Sequence, residues 1–238
     1  ITLNDGDFVT VIGGNGAGKS TMLNAVAGTF PIDSGAILLD GEDIAALPEY
    51  KRARRIGRVF QDPMTGTAAD MWIEENLALA ARRGGRHGLG WAITKRERDA
   101  YRELLAPLGL GLENRLSTKV GLLSGGQRQA LTLLMATMKR PQLLLLDEHT
   151  AALDPKTAAT VLALSDKFIA DGKLTALMVT HNMKDAIAHG NRLIMMNAGR
   201  IILDVSGENK KSLTVEALLD IFAKSSGTEF ANDRALLS

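Results

Sequence analysis

The chain has 238 residues with 28 basic and 27 acidic side chains, which gives a net charge of +1. This balance argues against binding to nucleic acid through bulk positive charge, which requires a clustered basic excess. The chain contains no cysteine, so disulfide frameworks and thiolate metal sites are excluded. No apolar run approaches the roughly 20 residues that cross a bilayer, and we therefore expect no direct membrane insertion of this chain.

Short apolar runs alternate with helical stretches, which predicts an α/β fold with a mostly parallel core sheet and flanking helices. Strands are predicted, in chain order, at Phe8–Ile12, Ala36–Leu39, Ile56–Phe60, Leu143–Leu146, Leu174–Val179, Leu193–Met196 and Ile201–Val205. A helix is predicted from about Lys19 to Ala27. The last two strands flank Asn197-Ala198-Gly199-Arg200, which predicts a hairpin turn.

Between Met71 and Lys139 the periodicity is helical only, which predicts an inserted α-helical subdomain. Its helices are predicted at Ile73–Arg83, Lys95–Leu108 and Gly125–Met138, with a glycine-rich link at 84–90 between the first two. We expect a single domain over 1–238, with an α/β core at 1–70 and 140–205 and the helical subdomain at 71–139. Residues 206–238 are expected to form a C-terminal helix (Leu213–Phe222) and a frayed tail.

A complete G-x-x-x-x-G-K-[ST] pattern lies between the first predicted strand and helix. It reads Gly13, Gly14, Asn15, Gly16, Ala17, Gly18, Lys19, Ser20. The glycines let backbone N–H groups converge on phosphates at the positive end of the helix. Lys19 is predicted to reach the β- and γ-phosphates, and the Ser20 hydroxyl to ligate Mg²⁺. A glycine-rich turn that binds nothing is the alternative, and the full pattern in this context disfavours it.

The apolar strand Leu143–Leu146 delivers two acids, Asp147 and Glu148, at its carboxyl end. Ligands of open α/β sheets bind at that end of the strands. Asp147 is therefore predicted to hold Mg²⁺ opposite Ser20, and Glu148 to take a proton from an attacking water. An acid that simply begins a polar loop is the alternative for either residue.

A third pattern, Leu123-Ser124-Gly125-Gly126-Gln127, opens the predicted helix Gly125–Met138 and lies 20 residues before Asp147. Ser124 suits a helix N-cap, and Gly125 and Gly126 leave N–H groups free to meet a second anion. A plain capping turn is the alternative.

These patterns together resemble the ATP-binding subunits of ABC transporters over residues 1 to about 205. The match covers the Walker A loop (Gly13 to Ser20), the signature (Leu123 to Gln127) and the Walker B strand (Leu143 to Glu148). Three further positions match the Q-loop glutamine, the D-loop and the switch histidine of the family: Gln61, Ala152-Leu153-Asp154 and His181.

The resemblance implies a P-loop ATPase of ABC type that binds ATP and Mg²⁺. It implies a homodimer in which each ATP lies between one copy's residues Gly13 to Thr21 and the other's Ser124 to Gln127, with Asp154 nearby. It also implies that Gln61 contacts Mg²⁺ or the water and that His181 contacts the γ-phosphate. The same resemblance implies two partners, namely transmembrane permease subunits and an extracytoplasmic substrate-binding protein. It also implies a peripheral position at the cytoplasmic face of the cell membrane.

Two features depart from the family pattern. His149 follows Glu148 at a position where the family usually has proline. One interpretation is that His149 tunes the pKa of Glu148. The favoured interpretation is that His149 is a packing residue, because the side chains of adjacent residues on an extended segment point apart. Members of the family also carry an earlier strand and an aromatic residue that stacks on adenine. We find neither before Gly13, so the sequence is expected to be an incomplete cassette.

The wording around the motifs, such as Ile56 to Pro63 and Asp147 to Thr157, is similar to bacterial importers assigned to tryptophan and tyrosine uptake. The assignment of the transported substrate rests on analogy only, and other amino-acid or branched-chain-type importers remain alternatives. The alternatives are the ATPase of a separate-subunit exporter or, with less support, a non-transport ABC ATPase. The latter usually carries coiled coils or two cassettes, and this sequence shows neither.

Overall fold

A computed structural model describes residues 1–85 and 93–226, in which six strands form one sheet with helices on both faces. The strands are β1 (Phe8–Ile12), β2 (Leu38–Leu39), β3 (Glu42–Asp43), β4 (Ile56–Val59), β5 (Leu143–Asp147), β6 (Ala176–Val179), β7 (Arg192–Asn197) and β8 (Arg200–Ser206). The helices are α1 (Lys19–Ala27), α2 (Glu49–Arg52), α3 (Ile73–Ala81), α4 (Lys95–Leu105), α5 (Gly125–Thr137), α6 (Pro155–Gly172), α7 (Met183–Ala188), α8 (Gly207–Lys211) and α9 (Val215–Ser226).

The sheet runs in the order β4-β5-β6-β1-β7-β8 and is parallel except for its last strand. The prediction of a mostly parallel α/β sheet is therefore confirmed. The predicted hairpin is also present, because β7 and β8 pair antiparallel around Ala198 and Gly199, both of which have positive φ.

The predicted strand Ala36–Leu39 is wrong in extent. Only Leu38 and Leu39 are extended, and they pair with β3 in a separate two-stranded sheet. The turn between them is Asp40-Gly41, with φ of 52° and 79°. Asp-Gly with positive φ at both positions is a strong hairpin signal, and it explains why the chain turns back on itself here.

The faces of the sheet are covered by different helices. Leu145 of β5 packs in a buried cluster with Leu23 of α1, whereas Leu144 and Leu146 pack on the other face with residues of α5 and α6 such as Leu133. Each fully buried leucine stabilises the fold by roughly 1.5–3 kcal/mol. The alternation along β5 therefore fixes which helix lies against which side of the sheet.

Helices α3, α4 and α5 fill the region predicted to be helical. Helix α4 ends at Leu105, earlier than predicted, and 106–108 forms a 3-10 turn because Pro107 lacks the N–H that an α-helix needs. Helix α6 was not predicted, although Asp154 at its N-cap and Pro155 in its first turn are strong start signals. Helix α9 begins later than predicted and continues to Ser226.

Part of the predicted glycine-rich link (86–90) and the end of the predicted tail (227–238) lie outside the described residues. Within the ranges 1–85 and 93–226, no helix combines the length and the apolarity that a membrane crossing requires.

The C-terminal end of α1 is tethered by a buried arginine. Arg52 donates hydrogen bonds to the carbonyl oxygens of Ala25 (2.7 Å) and Val26 (3.0 Å) in α1. It also donates to those of Leu47 (2.8 Å) and Ala45 (2.7 Å). One side chain, 3% exposed, thus satisfies four carbonyl groups and anchors the helix that begins at Lys19.

Replacing Arg52 by methionine should lower the free energy of unfolding by about 3 kcal/mol, because buried carbonyls lose their donor. Denaturant unfolding followed by circular dichroism measures this loss. The matched control is Lys51→Met, on the exposed side of the same helix, which should change stability by less than about 0.5 kcal/mol. Equal effects of the two variants would contradict the tether.

Candidate nucleotide site

The loop between β1 and α1 has a backbone that requires glycine. A Cβ on Gly13 would lie 2.3 Å from the Met196 carbonyl oxygen of β7, and Gly18 at the N-cap of α1 has φ of 97°. No acceptor within the described part of the chain takes the N–H groups of Asn15, Gly16 and Gly18. The loop therefore presents free backbone donors at the N-terminus of α1, which is the arrangement that binds phosphate.

Lys19 folds back into this loop. Its Nζ donates hydrogen bonds to the carbonyl oxygens of Gly13 (2.7 Å) and Gly14 (3.1 Å). Burial lowers the pKa of Lys19, while the charges of Glu148 and Asp147 act in the opposite direction. The structure thus brings the lysine of the loop into electrostatic contact with both acids at the end of β5.

Glu148 lies immediately after β5 with a left-handed backbone, φ 43°, which is unfavourable for a residue other than glycine. Its N–H donates to the Val179 carbonyl oxygen of β6 at 3.0 Å. Its carboxylate Oε2 lies 3.5 Å from Nδ1 of His181, and both side chains reach solvent. Glu148 and His181 therefore form a pair at the carboxyl ends of two adjacent strands.

Asp147 has a partner that the sequence did not reveal. Nη2 of Arg58, in β4, lies 3.2 Å from Oδ2 of Asp147, and both side chains are largely buried. The signal was available: a charged residue in a buried parallel strand needs a charged partner. Choosing that partner requires the register of β4 against β5, which the sequence alone does not supply.

The helix α5 begins with a complete capping box. Ser124 Oγ accepts from the N–H of Gln127 (3.3 Å), and the Gln127 side chain accepts from the N–H of Ser124 (3.2 Å). A Cβ on Gly126 would lie 2.1 Å from Thr157 of α6, so the two helix starts are in close contact. Asp154 caps α6, and hydrogen bonds from Thr157 lower the pKa of its carboxyl group.

Gln61 is exposed and follows β4 by two residues. The preceding carbonyl, of Phe60, accepts a hydrogen bond at 3.0 Å from the buried Gln129 of α5. The neighbouring Arg128 donates to the Leu123 carbonyl oxygen at 3.1 Å and contacts the sulfur of Met64. The segment after β4 and the start of α5 are therefore joined within one chain.

His149 is 2% exposed, and its Nε2 lies 2.9 Å from Ser165 Oγ in α6. Burial, with a smaller contribution from the charge of His189, lowers the pKa of His149 to about 4. The ring is thus neutral at pH 7 and faces the protein interior. This geometry agrees with the interpretation of His149 as a packing residue.

The predicted site residues fall into two groups. Lys19, Asp147, Glu148 and His181 lie together at the carboxyl edge of the sheet, and Ser124 to Gln127 lie with Asp154 at the α5–α6 contact. In the ranges that the structure describes, no hydrogen bond or ion pair joins residues 13–21 to residues 124–127. The two groups are therefore not joined to each other within one chain.

The donor set fits Mg²⁺ bound with a nucleotide. Among the described residues no cluster of three or more His, Asp or Glu side chains is arranged to hold a metal. Mg²⁺ on nucleotides is usually held by one or two protein oxygens, with phosphates and water completing the shell. Asp147 at the strand end and the exposed Ser20 hydroxyl in the first turn of α1 supply such oxygens.

The fold and these motifs define a P-loop nucleoside triphosphatase of the ATP-binding-cassette type. The family model described as "ABC transporter" matches residues 1–151. The chain is 47% identical to the "Tyrosine transport ATP-binding protein" of Clostridioides difficile (strain R20291), over 93% of this chain and 88% of that protein. The chain belongs to the ABC transporter family, and it is an ATPase.

Other relatives are similar over part of their length. The chain is 37% identical to the "Methionine import ATP-binding protein MetN" of Rhizobium johnstonii (strain DSM 114642 / LMG 32736 / 3841), over 85% of this chain and 54% of that protein. The chain spans about half the length of that relative.

A solved structure supports the fold. It is the "ADP conformation" of MJ1267, an ATP-binding cassette of an ABC transporter, with a TM-score of 0.75 and 28% identity over 93% of this chain and 89% of that one.

The buried His149 predicts a loss of stability in acid. The unfolded chain takes up the proton near pH 6.5, whereas the folded protein resists it to about pH 4. The free energy of unfolding should therefore keep its full value above pH 6.5 and fall by about 3 kcal/mol as the pH drops to 4. Urea unfolding at pH 7 and pH 4 should show a smaller fall for His149→Gln. His181→Gln, at a half-exposed site, should retain the full fall, and equal falls in both variants would contradict the assignment.

Proposed function

We propose that this ABC ATPase powers the import of an amino acid, tyrosine or a close analogue, through separate transmembrane permease subunits. The observation that carries the catalytic part is the grouping of Lys19, Asp147, Glu148 and His181 beside the phosphate loop. The substrate class rests on the 47% identity to a tyrosine transport ATP-binding protein. In this proposal the chain lies at the cytoplasmic face of the cell membrane, and an extracytoplasmic binding protein delivers the substrate.

In this mechanism the loop binds the ATP phosphates through Gly13, Gly14, Asn15, Gly16, Ala17, Gly18 and Thr21. Lys19 exchanges its two carbonyl partners for β- and γ-phosphate oxygens, and its low-dielectric site strengthens that contact. Ser20, Gln61 and Asp147 hold Mg²⁺, which when bound neutralises phosphate charge. The chain's own residues thus supply both donors for the phosphates and oxygens for the metal.

Glu148 acts as the general base on the attacking water in this mechanism, since its carboxylate is solvent-accessible and lies beside the phosphate loop. His181 donates a hydrogen bond to the γ-phosphate and holds the carboxylate of Glu148 in place from the adjacent strand. The left-handed backbone of Glu148 turns the chain sharply out of β5 at the residue that performs the proton transfer.

Replacing Glu148 by glutamine should keep ATP binding and slow hydrolysis by about 10²-fold or more, the effect of losing a general base. Phosphate release and nucleotide binding, measured separately, check this. Glu208→Gln, on the distant helix α8, is the matched control and should hydrolyse at the normal rate. Full-rate hydrolysis by Glu148→Gln would contradict the role of Glu148 as the general base.

In cells, the same variant should abolish uptake of labelled tyrosine. Unchanged uptake would contradict tyrosine as the transported substrate.

The second proposal is that two copies of this chain form each active site. Ser124 to Gln127 and Asp154 of one copy complete the phosphate loop of the other by a two-fold axis. The N–H groups of Gly125 and Gly126, which the capping box between Ser124 and Gln127 does not use, suit a γ-phosphate. Support comes from the dimeric structure of the ATP-binding cassette MJ0796 in a post-hydrolysis state, bound to ADP and Pi. That cassette is 29% identical to this chain, with a TM-score of 0.71 over 87% of this chain and 88% of that one.

Mixing two inactive variants tests the shared site. Lys19→Ala and Ser124→Arg homodimers should each be inactive, whereas a mixed dimer has one site with both lesions and one site with neither. Random mixing should restore about a quarter of the wild-type activity, because half of the dimers are mixed and each has one intact site of two. Single-turnover hydrolysis is the measurement. No recovery, with mixed dimers confirmed by tagged co-purification, would contradict sharing.

The permease contact is proposed to involve the segment that leads from Gln61 into the helical subdomain 71–139. Met64 and Trp72 are both 42% exposed in this segment, which gives it an apolar surface for a partner. Phe60 is bonded to Gln129 of α5, and the adjacent Arg128 contacts Met64, so a displacement of Gln61 by nucleotide would be passed through the start of α5 to this surface.

A further inference from the structure

Arg58 is a largely buried charged residue in β4, the edge strand of the sheet. It lies in β4 opposite Leu145 of β5, on the same face as Ile56, which is the face that α1 covers. Its side chain is 13% exposed. A guanidinium at such a position needs partners for its charge and its donors.

Four groups surround this guanidinium. Nη2 lies 2.6 Å from Oδ1 of Asn24 in α1 and 3.2 Å from Oδ2 of Asp147. Nη1 lies 3.4 Å from the hydroxyl of Thr29, and Cζ lies 4.5 Å from the centroid of the Phe60 ring. Asp147 is therefore the carboxylate that neutralises Arg58.

The same carboxylate is the one that the proposed function assigns to Mg²⁺. A cation 3.2 Å from Oδ2 of Asp147 occupies an acceptor position and repels a divalent ion, and partial burial limits the screening of this repulsion. Asn24 lies closer to Nη2 than Asp147 does, so Arg58 keeps a hydrogen-bond partner when Asp147 turns to a metal.

We propose that Arg58 is a built-in counter-ion of Asp147 that competes with Mg²⁺ and so sets the divalent-cation concentration at which the nucleotide site fills. The proposal rests on the function proposed above, in which Asp147 is a Mg²⁺ ligand. Arg58 is a positioning residue, since it acts through Asp147 and contacts neither nucleotide nor water in the reaction.

The probe is Mn²⁺, whose binding to the protein with a non-hydrolysable ATP analogue is measured by electron paramagnetic resonance. Arg58→Met should bind Mn²⁺ about tenfold more tightly, because the competing charge is gone. The Mg²⁺ concentration for half-maximal hydrolysis should fall by the same factor. Arg55→Met is the matched control: Arg55 precedes β4 and pairs with Glu42, away from the acids, and its loss should leave Mn²⁺ affinity within about twofold.

Asp147→Asn separates this proposal from the function on which it rests. If Asp147 is a metal ligand, Asp147→Asn weakens Mn²⁺ binding; unchanged binding would contradict the proposed function itself. In the Asp147→Asn background, Arg58→Met should give no further gain, and a gain that persists would overturn the competition.

Unchanged or weaker Mn²⁺ binding in Arg58→Met, with Asp147→Asn impaired, would overturn the competition alone. Arg58→Gln, which keeps a polar group of similar length, replaces the methionine variant if that variant does not fold. Loss of folding in both would make Arg58 a structural residue and would also overturn the proposal.

Discussion

The position of the acids depends on the burial of one strand, β5. Leu144, Leu145 and Leu146 are all fully buried, with neighbouring strands on both edges and helices on both faces. A shift of one residue would turn each leucine toward the wrong helix layer and would move Asp147 out of the site. The apolar interior of the sheet therefore fixes the location of the charged groups at its edge.

The phosphate loop is supported from below by the β7–β8 hairpin. Gly13 lies against the Met196 carbonyl, and the Gly199 N–H at the hairpin turn donates to the Ala17 carbonyl at 3.0 Å. The loop thus has a rigid base, while its N–H groups stay free for a ligand. Arg52 fixes the far end of α1, so the phosphate-binding helix is held at both ends by groups distant in sequence.

The sequence predicted most of the central sheet, and the position of the glycine-rich loop between β1 and α1, because both depend on local patterns. Apolar runs specify buried strands, and G-x-x-x-x-G-K-[ST] specifies a loop whose geometry is intrinsic to its glycines. The partners of Asp147 and His149 could not be predicted from the sequence. Arg58 meets Asp147 through strand register, and the buried His149 meets Ser165 through the packing of α6 against the sheet.

The start of helix α5 takes part in two different contacts. The helix's 13 residues begin at the signature turn, and from within its first turns Gln129 holds the Phe60 carbonyl. In the proposed dimer, the anion at Ser124 belongs to the partner's nucleotide, whereas Phe60 leads to the copy's own Gln61. ATP bound to the phosphate loop of one copy would then contact the start of α5 in the other copy, and through Gln129 it would affect the Phe60–Gln61 segment of that other copy. Each nucleotide would therefore act on both subunits.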